Sequence, residues 1–572
     1  MVCDTYLQIL KKYWGYDSFR GIQSEIIESI TSGYDTLGLM PTGGGKSVTF
    51  QVPALAMEGV CIVVTPLIAL MNDQVQNLRK RGIKAEAIHS ELSQNVILRI
   101  LENAVFGAIK LLYVSPERLS SELFRAKLRH MKVSFVTIDE AHCISQWGYD
   151  FRPSYLQIAD IRKDLPKVPV LALTATATPL VINDIQEKLQ FRHKCVFRMS
   201  FDRKNLVYCV RRSESKMHDL VHILRCVNGS AIIYARSRQR TRLIAKALQE
   251  AGFLATFYHA GLDASDKKKR QQQWQQDEFR IMVATNAFGM GIDKADVRLV
   301  VHYDCPDSLE AYYQEAGRAG RDGKKAYAVL LYSKVDSKKL RMQISTTFPQ
   351  KDYIRGVYER ISYFYEIAVG DGYNATFEFP IERFCRTYHL YPIPVLSALK
   401  ILDRAGYIEY HESEKSQARL QFSIERDELY LLRNNTPIEE ELIVTLLRNY
   451  SGLFSDYVYI DLTMLAQKTG FELSTVYLTL KSLSDKHVVN FIPEKAIPHI
   501  RYRQRREDSC HLMFPPTIYD DLRAKYSERI EHIIRYATSD NECRSNLLLK
   551  YFGEENVSPC NHCDVCIARN HE

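Results

Sequence analysis

The sequence predicts an α/β chain: two tandem parallel-sheet lobes, then two winged-helix-like modules, then a small four-cysteine zinc module. Three observations carry this. Apolar runs of strand length alternate with helix-length stretches from Asp35 to Leu331, the pattern of parallel sheets covered on both faces. A glycine-rich loop and an acid pair each follow one of the early runs. Four cysteines, Cys543, Cys560, Cys563 and Cys566, cluster at close spacing.

The first run, Asp35 to Leu39, leads into Met-Pro-Thr-Gly-Gly-Gly-Lys-Ser, residues Met40 to Ser47. Gly43, Gly44 and Gly45 allow a tight turn that aims backbone N–H groups at phosphate oxygens. Lys46 would reach the terminal phosphates, and the Ser47 hydroxyl would ligate Mg²⁺. A helix should follow, with its N-terminus facing the phosphates. Val60 to Thr65 and Ile109 to Val114 read as further strands. Val133 to Ile138 is a buried strand that delivers Asp139-Glu-Ala-His142 to the carboxyl edge of the sheet, where α/β proteins bind nucleotides. One carboxylate can hold Mg²⁺ while its neighbour polarises the attacking water. Val168 to Leu173 completes the first series.

The second series is Ala231 to Tyr234, Ala255 to Tyr258, Ile281 to Ala284, Leu299 to His302 and Ala326 to Leu331. Nucleotide would bind between the lobes, and the second lobe should bring positive charge to it. Its candidates are Arg318 and Arg321, which at i and i+3 are expected on one helical face. Guanidinium matches phosphate oxygens bidentately. Lys267 to Arg270 reads as a solvated helix face.

At 572 residues the chain should hold about three to five domains. Its net charge of +8, from 76 basic and 68 acidic residues, permits a polyanionic partner without requiring one. No run approaches the roughly 18 apolar residues of a membrane span. The opening residues lack a signal pattern. An intracellular location is expected, cytoplasmic or nucleoid in a bacterium and nuclear in a eukaryote. Nine of the 13 cysteines are scattered and should be reduced thiols. The other four have the spacing of a closed tetrahedral site suited to structural Zn²⁺. An iron–sulfur cluster is the alternative, and His562 could replace one ligand.

Several segments together resemble the ordered motif set of RecQ DNA helicases of superfamily 2. They are Phe19-Arg20-x-x-Gln23, Met40 to Ser47, Val64 to Gln74, Tyr113 to Arg118, Asp139 to His142, Thr174 to Ala177, Ala284 to Asp293 and Gln314 to Gly323. The match covers roughly residues 10–335 and recurs at 525–566. The resemblance implies RecA-like lobes and ATP-driven, 3′-to-5′ strand separation on single-stranded and branched duplex DNA, in recombination and repair. It also implies that Arg20, Gln23, Met40, Pro41, Thr42 and the three glycines contact ATP with Lys46 and Ser47, Gln23 reading the adenine edge. Ser47 and Asp139 would hold Mg²⁺ and Glu140 would act as base. His142, Gln314, Arg318 and Arg321 would complete the catalytic set. The segment Cys143 to Pro153 is similar to the family's aromatic-rich loop, and Gln146, Trp147, Phe151 and Arg152 would meet DNA there. Trp147 and Phe151 offer stacking surfaces for unpaired bases. The cysteine segment resembles the family's zinc-binding module.

The domain order departs from the family, because a long stretch separates the second lobe from the cysteines. Within it, Phe379 to Ile408 and Asp461 to Phe491 each read as helix–turn–helix with a wing. The basic stretch Ile500 to Arg506 suits a wing gripping duplex phosphates through Arg503 and Arg505. It reads equally as a charged edge strand, and the two modules could serve only to dock the zinc module. The expected divisions are 1–200 and 201–340 for the lobes, 341–432 and 433–518 for the winged-helix-like modules, and 519–572 for the zinc module. The chain is expected to loop out and return the zinc module to the second lobe. Two other functions fit the lobes: an RNA helicase, and a DNA-architectural protein whose ATPase has lapsed.

Overall fold

The computed structural model describes residues 4–571 except 90, 91, 93, 290–293, 417, 425–427, 432–435, 451, 455, 456, 494 and 556. The Met290 to Asp293 end of one motif, the first three residues and the division at 432/433 lie outside the described residues.

Two compact units result: Met1–Met342 with Ala524–Glu572, and Gln343–Arg523. In the first unit, β1 (Thr36–Leu39), β2 (Val60–Val64), β3 (Ala85–Ile88), β4 (Leu111–Val114), β5 (Val133–Ile138), β6 (Val170–Thr174) and β7 (Cys195–Arg198) form one sheet. Its order is β3-β4-β2-β5-β6-β1-β7, and every pairing is parallel. The second sheet holds β8 (Leu206–Arg212), β9 (Ser230–Tyr234), β10 (Ala255–Tyr258), β11 (Ile281–Ala284), β12 (Val297–His302) and β13 (Ala326–Tyr332). Its order is β10-β11-β9-β12-β13-β8, again parallel. The central strands are predominantly apolar and fully buried because helices cover both faces. β3, β7 and β8 are absent from the sequence reading, and all three are sheet edges. An edge strand has one neighbour, so it carries polar residues such as Glu86, Arg198 and Arg212 and loses the signature of a buried run.

At the amino end of β1, opposite the glycine-rich loop, Asp35 is fully buried. It accepts from Arg162 Nη2 at 2.5 Å, Arg192 N at 2.8 Å and Val170 N at 2.9 Å. Burial pushes its carboxyl up, but the Arg162 guanidinium and the two N–H donors outweigh that and hold it below the usual range. Asp35→Ala should cost about 3–5 kcal/mol, because Arg162 is left without its carboxylate. The native group has a lowered pKa, so its contribution is present above the unfolded value near 4 and is lost as pH falls through the folded value. Denaturant melts should show a gap between parent and variant at pH 7 that closes on acidification.

The zinc-module residues return to the lobes in this same unit. Tyr536 Oη lies 3.1 Å from Tyr312 Oη. Phe552 packs on Phe201 and Tyr313, with centroids 4.9 and 5.1 Å apart. Asp564 Oδ2 accepts from Val210 N on edge strand β8 at 3.0 Å.

The second unit holds β14 (Thr376–Glu378), β15 (Ile408–Ser416), β16 (Ala418–Phe422), β17 (Val458–Ile460), β18 (Val489–Ile492) and β19 (Lys495–Tyr502). They form two antiparallel sheets, β14-β19-β15 and β17-β16-β18. The expected helix pairs are present as Ile381–Thr387 with Pro392–Arg404, and Leu462–Thr469 with Leu473–Asp485. The division into 341–432 and 433–518 is corrected by the pairing. β16 joins the second sheet and β19 the first, so the second module is inserted between two paired strands of the first. Burial decides this: Ile500 and Tyr502 of β19 are fully buried, with Tyr502 against Tyr358 and Phe377. Leu420 and Phe422 of β16 pack with Leu442 and Val489 instead. No helix among the described residues is long and apolar enough to cross a membrane.

Candidate active site and zinc centre

β5, β6 and β1 are neighbours, so the acid pair, Thr174 and the glycine-rich loop leave the same edge side by side. Gly45 adopts φ +80°, and a Cβ there would meet Gln23 Nε2 at 2.4 Å. The left-handed φ favours glycine, and any side chain would also have to displace the Gln23 amide. Gln23 Nε2 donates to Gly44 O at 3.2 Å and Gly45 O at 3.1 Å, and its Oε1 accepts from Arg20 N at 2.9 Å. The predicted helix follows as Val48–Ala56.

Lys46 Nζ lies 3.5 Å from Glu140 Oε1. Glu140 sits at φ +50°, a left-handed conformation rare outside glycine, which costs about 1–3 kcal/mol and marks a constrained carboxylate. Burial pushes its carboxyl up, but Lys46, His142 and Arg318 bring it below the ordinary range. Asp139 goes the other way: burial, then the adjacent Glu140 charge, push it up to about 6. The Asp139 carboxyl and the Ser47 hydroxyl, which both line the cleft, are oxygen donors of the kind Mg²⁺ takes. His142 is buried, and burial lowers its pKa against the pull of the Glu140 and Asp150 carboxylates. Its Nδ1 bonds Thr174 Oγ1 at 2.9 Å and its ring stacks on Tyr149 at 4.9 Å.

The second lobe closes a cleft of about 450 Å³ with Gln314, Arg318 and Arg321 opposite Thr42 to Ser47, Asp139 and Glu140. This volume lies in the usual range for small-ligand sites. The two arginines are not on a helical face as expected. The helix ends at Ala316, and both lie in the turns beyond it. Gly320 at φ +64° redirects the chain and donates to Val297 O at 2.9 Å. Proximity in the cleft survives because the turn, not a helix, presents them.

Arg203 was missed by the sequence reading. It donates to Thr42 O at 3.0 Å and Gly317 O at 3.1 Å, and through Nη2 to Ala319 O at 2.9 Å and Gly320 O at 3.2 Å. One guanidinium therefore joins the glycine-rich loop to the arginine turn. All four acceptors are carbonyls, so no side-chain spacing could have disclosed it. Tyr16 was also missed; it lines the cleft, with the Arg20 guanidinium 5.3 Å over its ring.

Other expected residues stand elsewhere. Met40 is fully buried in the first-lobe core and does not line the cleft. The strand carries it inward, so its assignment to ATP contact is corrected. Pro41 is buried, and its carbonyl accepts from Gly44 N at 2.9 Å. Gln146 is exposed, and Trp147 and Phe151 are half-buried in a loop. Arg152 is committed inward, to Asp150 Oδ2 at 3.1 Å and Pro66 O at 3.2 Å. Tyr149 Oη crosses to the second lobe and donates to Gln314 Oε1 at 2.7 Å. In the second unit, Arg503 lies 3.5 Å from Glu409 and 3.9 Å from Asp403, which offsets its charge. Arg505 is exposed.

The sulfur atoms of Cys543, Cys560, Cys563 and Cys566 lie within 4.8 Å of one another. Cys543 and Cys563 Sγ are 3.9 Å apart, close to the ~3.8 Å edge of a tetrahedron with metal–sulfur bonds of about 2.3 Å. Backbone N–H groups point at the sulfurs, from Cys560 to Cys543 and Cys563 to Cys560 at 3.3 Å, and from Arg544 and Cys566 to Cys563 at 3.5 Å. Such donors suit thiolates holding a metal. His562 turns away, toward Cys560 O at 2.5 Å and Leu206 O at 3.3 Å.

Family models match in chain order. A DEAD/DEAH box helicase model covers 20–185 and a helicase conserved C-terminal domain covers 215–323. A RecQ helicase winged-helix domain of Bacteroidota covers 420–493, and a RecQ zinc-binding model covers 512–567. The "ATP-dependent DNA helicase RecQ" of Pasteurella multocida is 45% identical over 58% of this chain and 53% of its own. The protein of that name from Bacillus subtilis is 44% identical over 57% of this chain and 56% of its own. The chain belongs to the RecQ family. It spans about half the length of the curated relatives it matches. The winged-helix match coincides with the inserted module, β16 to β18. Among solved structures, the DUF1998 helicase MrfA bound to DNA aligns at TM-score 0.50 and 17% identity, over 60% of this chain and 53% of that one. That is a likeness of fold alone.

Proposed function

We propose that this chain is an ATP-dependent DNA helicase of RecQ type that moves 3′ to 5′ on single-stranded DNA and separates duplex or branched DNA in recombination and repair. One observation carries the ATPase: buried polar atoms without partners converge on the cleft from both lobes. They are Thr42 Oγ1 from the first lobe and Gln314 Nε2 and Arg318 Nε from the second. Leaving such groups unpaired costs about 1–3 kcal/mol each, so they mark where a polar ligand completes the structure. A triphosphate meets donors from the loop, Lys46 and the arginine turn. Gln23 and Tyr16 flank the base end. Water attacks the γ-phosphorus, the bond to the β-phosphate oxygen breaks, and Glu140 takes the water's proton. Arg318 and Arg321 offset the charge on the departing phosphates. Ser47 and Asp139 would hold Mg²⁺, which would supply positive charge against the phosphates. The four thiolates would hold Zn²⁺ as a structural ion.

DNA as the partner is favoured by the zinc-binding and winged-helix matches and by an exposed-to-half-buried aromatic loop that begins beside the acid pair. Duplexes with a 3′ or a 5′ single-stranded tail test the reading. ATP should drive separation of the 3′-tailed duplex. Separation of the 5′-tailed one instead overturns the polarity. Stimulation of hydrolysis by single-stranded RNA but not DNA favours the RNA helicase.

Trp147→Ala should keep basal hydrolysis and lose stimulation by single-stranded DNA, since a stacked base is worth about 1–3 kcal/mol and the phosphate site is untouched. A circular-dichroism melt run beside the assay separates loss of contact from loss of fold. A variant that unfolds makes Trp147 a packing residue.

A further inference from the structure

We infer that Arg529, on the zinc-module helix Asp520–Thr538, is a positioning residue that sets the aromatic loop against the ATP cleft. This rests on the reading of that loop as a DNA contact. Arg529 Nη1 donates to Gly148 O at 2.9 Å, the residue between Trp147 and Tyr149. Tyr149 in turn donates to Gln314 Oε1 at 2.7 Å. Gln314 lies on the helix Leu309–Ala316, which ends in the turn bearing Arg318 and Arg321. The loop therefore has two tethers in adjacent residues. One leads to the arginine turn and the other to the zinc module.

The far side of Arg529 faces the same second-lobe helix. Glu310 is 4% exposed, and its Oε1 accepts from Tyr551 Oη of the zinc module at 2.8 Å. Burial pushes the Glu310 carboxyl up, while the Arg529 charge pulls against that shift. The guanidinium also sits 5.7 Å over the Tyr526 ring. Arg529 thus stands where the aromatic loop, the Gln314 helix and the zinc module meet. Any displacement of the Trp147–Gly148–Tyr149 turn by DNA must break or drag this bond. The zinc module then acts in coupling as well as in stability. The N–H donors of one guanidinium reach a carbonyl that an alanine cannot, and a lysine replaces them with a single mobile point charge.

The test compares Arg529→Ala and Arg529→Lys with the full-length parent. Four readouts are taken: zinc content, basal ATPase, maximal ATPase with single-stranded DNA, and DNA affinity by fluorescence anisotropy. Arg529→Ala is expected to keep its zinc, basal rate and DNA affinity while maximal stimulation falls about tenfold, within the span of site-to-site couplings. Arg529→Lys should restore part of it. Full stimulation in a zinc-loaded Arg529→Ala overturns the inference. So does an equal fall in basal and stimulated rates, which marks a purely structural role. If Arg529→Ala loses its zinc, Arg529→Lys decides alone: reduced stimulation at parental basal rate supports the inference, and parental stimulation overturns it. A parent that DNA does not stimulate defeats the proposed function itself, a result distinct from failure of the Arg529 variants.

Discussion

Glu140→Gln should bind ATP as well as the parent and hydrolyse it about 10²–10⁴-fold more slowly, the usual contribution of a positioned general base. The geometry explains the split. Glu140 is held at φ +50° with Oε2 3.4 Å from His142 Nδ1. Its Oε1 faces Lys46 Nζ at 3.5 Å. The amide keeps the shape but cannot accept the water's proton. Binding relies on the loop N–H groups and Lys46, which remain. Lys46→Ala should do the reverse, losing nucleotide binding itself, because it deletes the cation that meets the phosphates. Fluorescent-nucleotide titration and single-turnover hydrolysis measure the two effects separately. Near-parental DNA-stimulated turnover by Glu140→Gln refutes the base assignment.

The second large effect is expected at the metal. Cys560→Ser should release about one zinc per chain and unfold the C-terminal module, because a structural site contributes folding free energy that the unfolded chain cannot recover. The thiolates form their own small cluster with Val565. With so little apolar area, the ion carries the local fold. The consequence should extend to the second lobe. Asp564 accepts from Val210 N on β8 and pairs with Arg544 at 3.0 Å, so loss of the knuckle uncovers a sheet edge. Elemental analysis together with a thermal melt checks this. Iron in place of zinc, or an unchanged melt on metal loss, contradicts it.

Sequence alone determined the parts whose chemistry is local. The glycine-rich loop needs consecutive small residues before a helix, and the acid pair needs a buried strand ahead of it. Four thiols at close spacing can reach one ion. The first two requirements, and three of the four thiols, are met within a few neighbouring residues, so Met40 to Ser47, Asp139 to His142 and Cys560 to Cys566 were legible. The central strands were legible for the same reason, since burial on both faces leaves an unbroken apolar run. Tertiary structure decided what depends on partners distant in the chain. Edge strands β3, β7 and β8 carry polar residues because solvent lies on one side. Met40 turned inward because its strand is flanked by β6 and β7. Arg318 and Arg321 reach the cleft from turns, since the helix ends at Ala316, before either of them. Arg203 and Arg529 act on backbone carbonyls, which every residue has and no sequence pattern reports. The interleaving of the second-unit sheets was settled only by which hydrophobic faces met: β19 presents Ile500 and Tyr502 to one core, and β16 presents Leu420 and Phe422 to another. Pairing energy is gained between strands far apart in sequence, so no single stretch of residues encodes it.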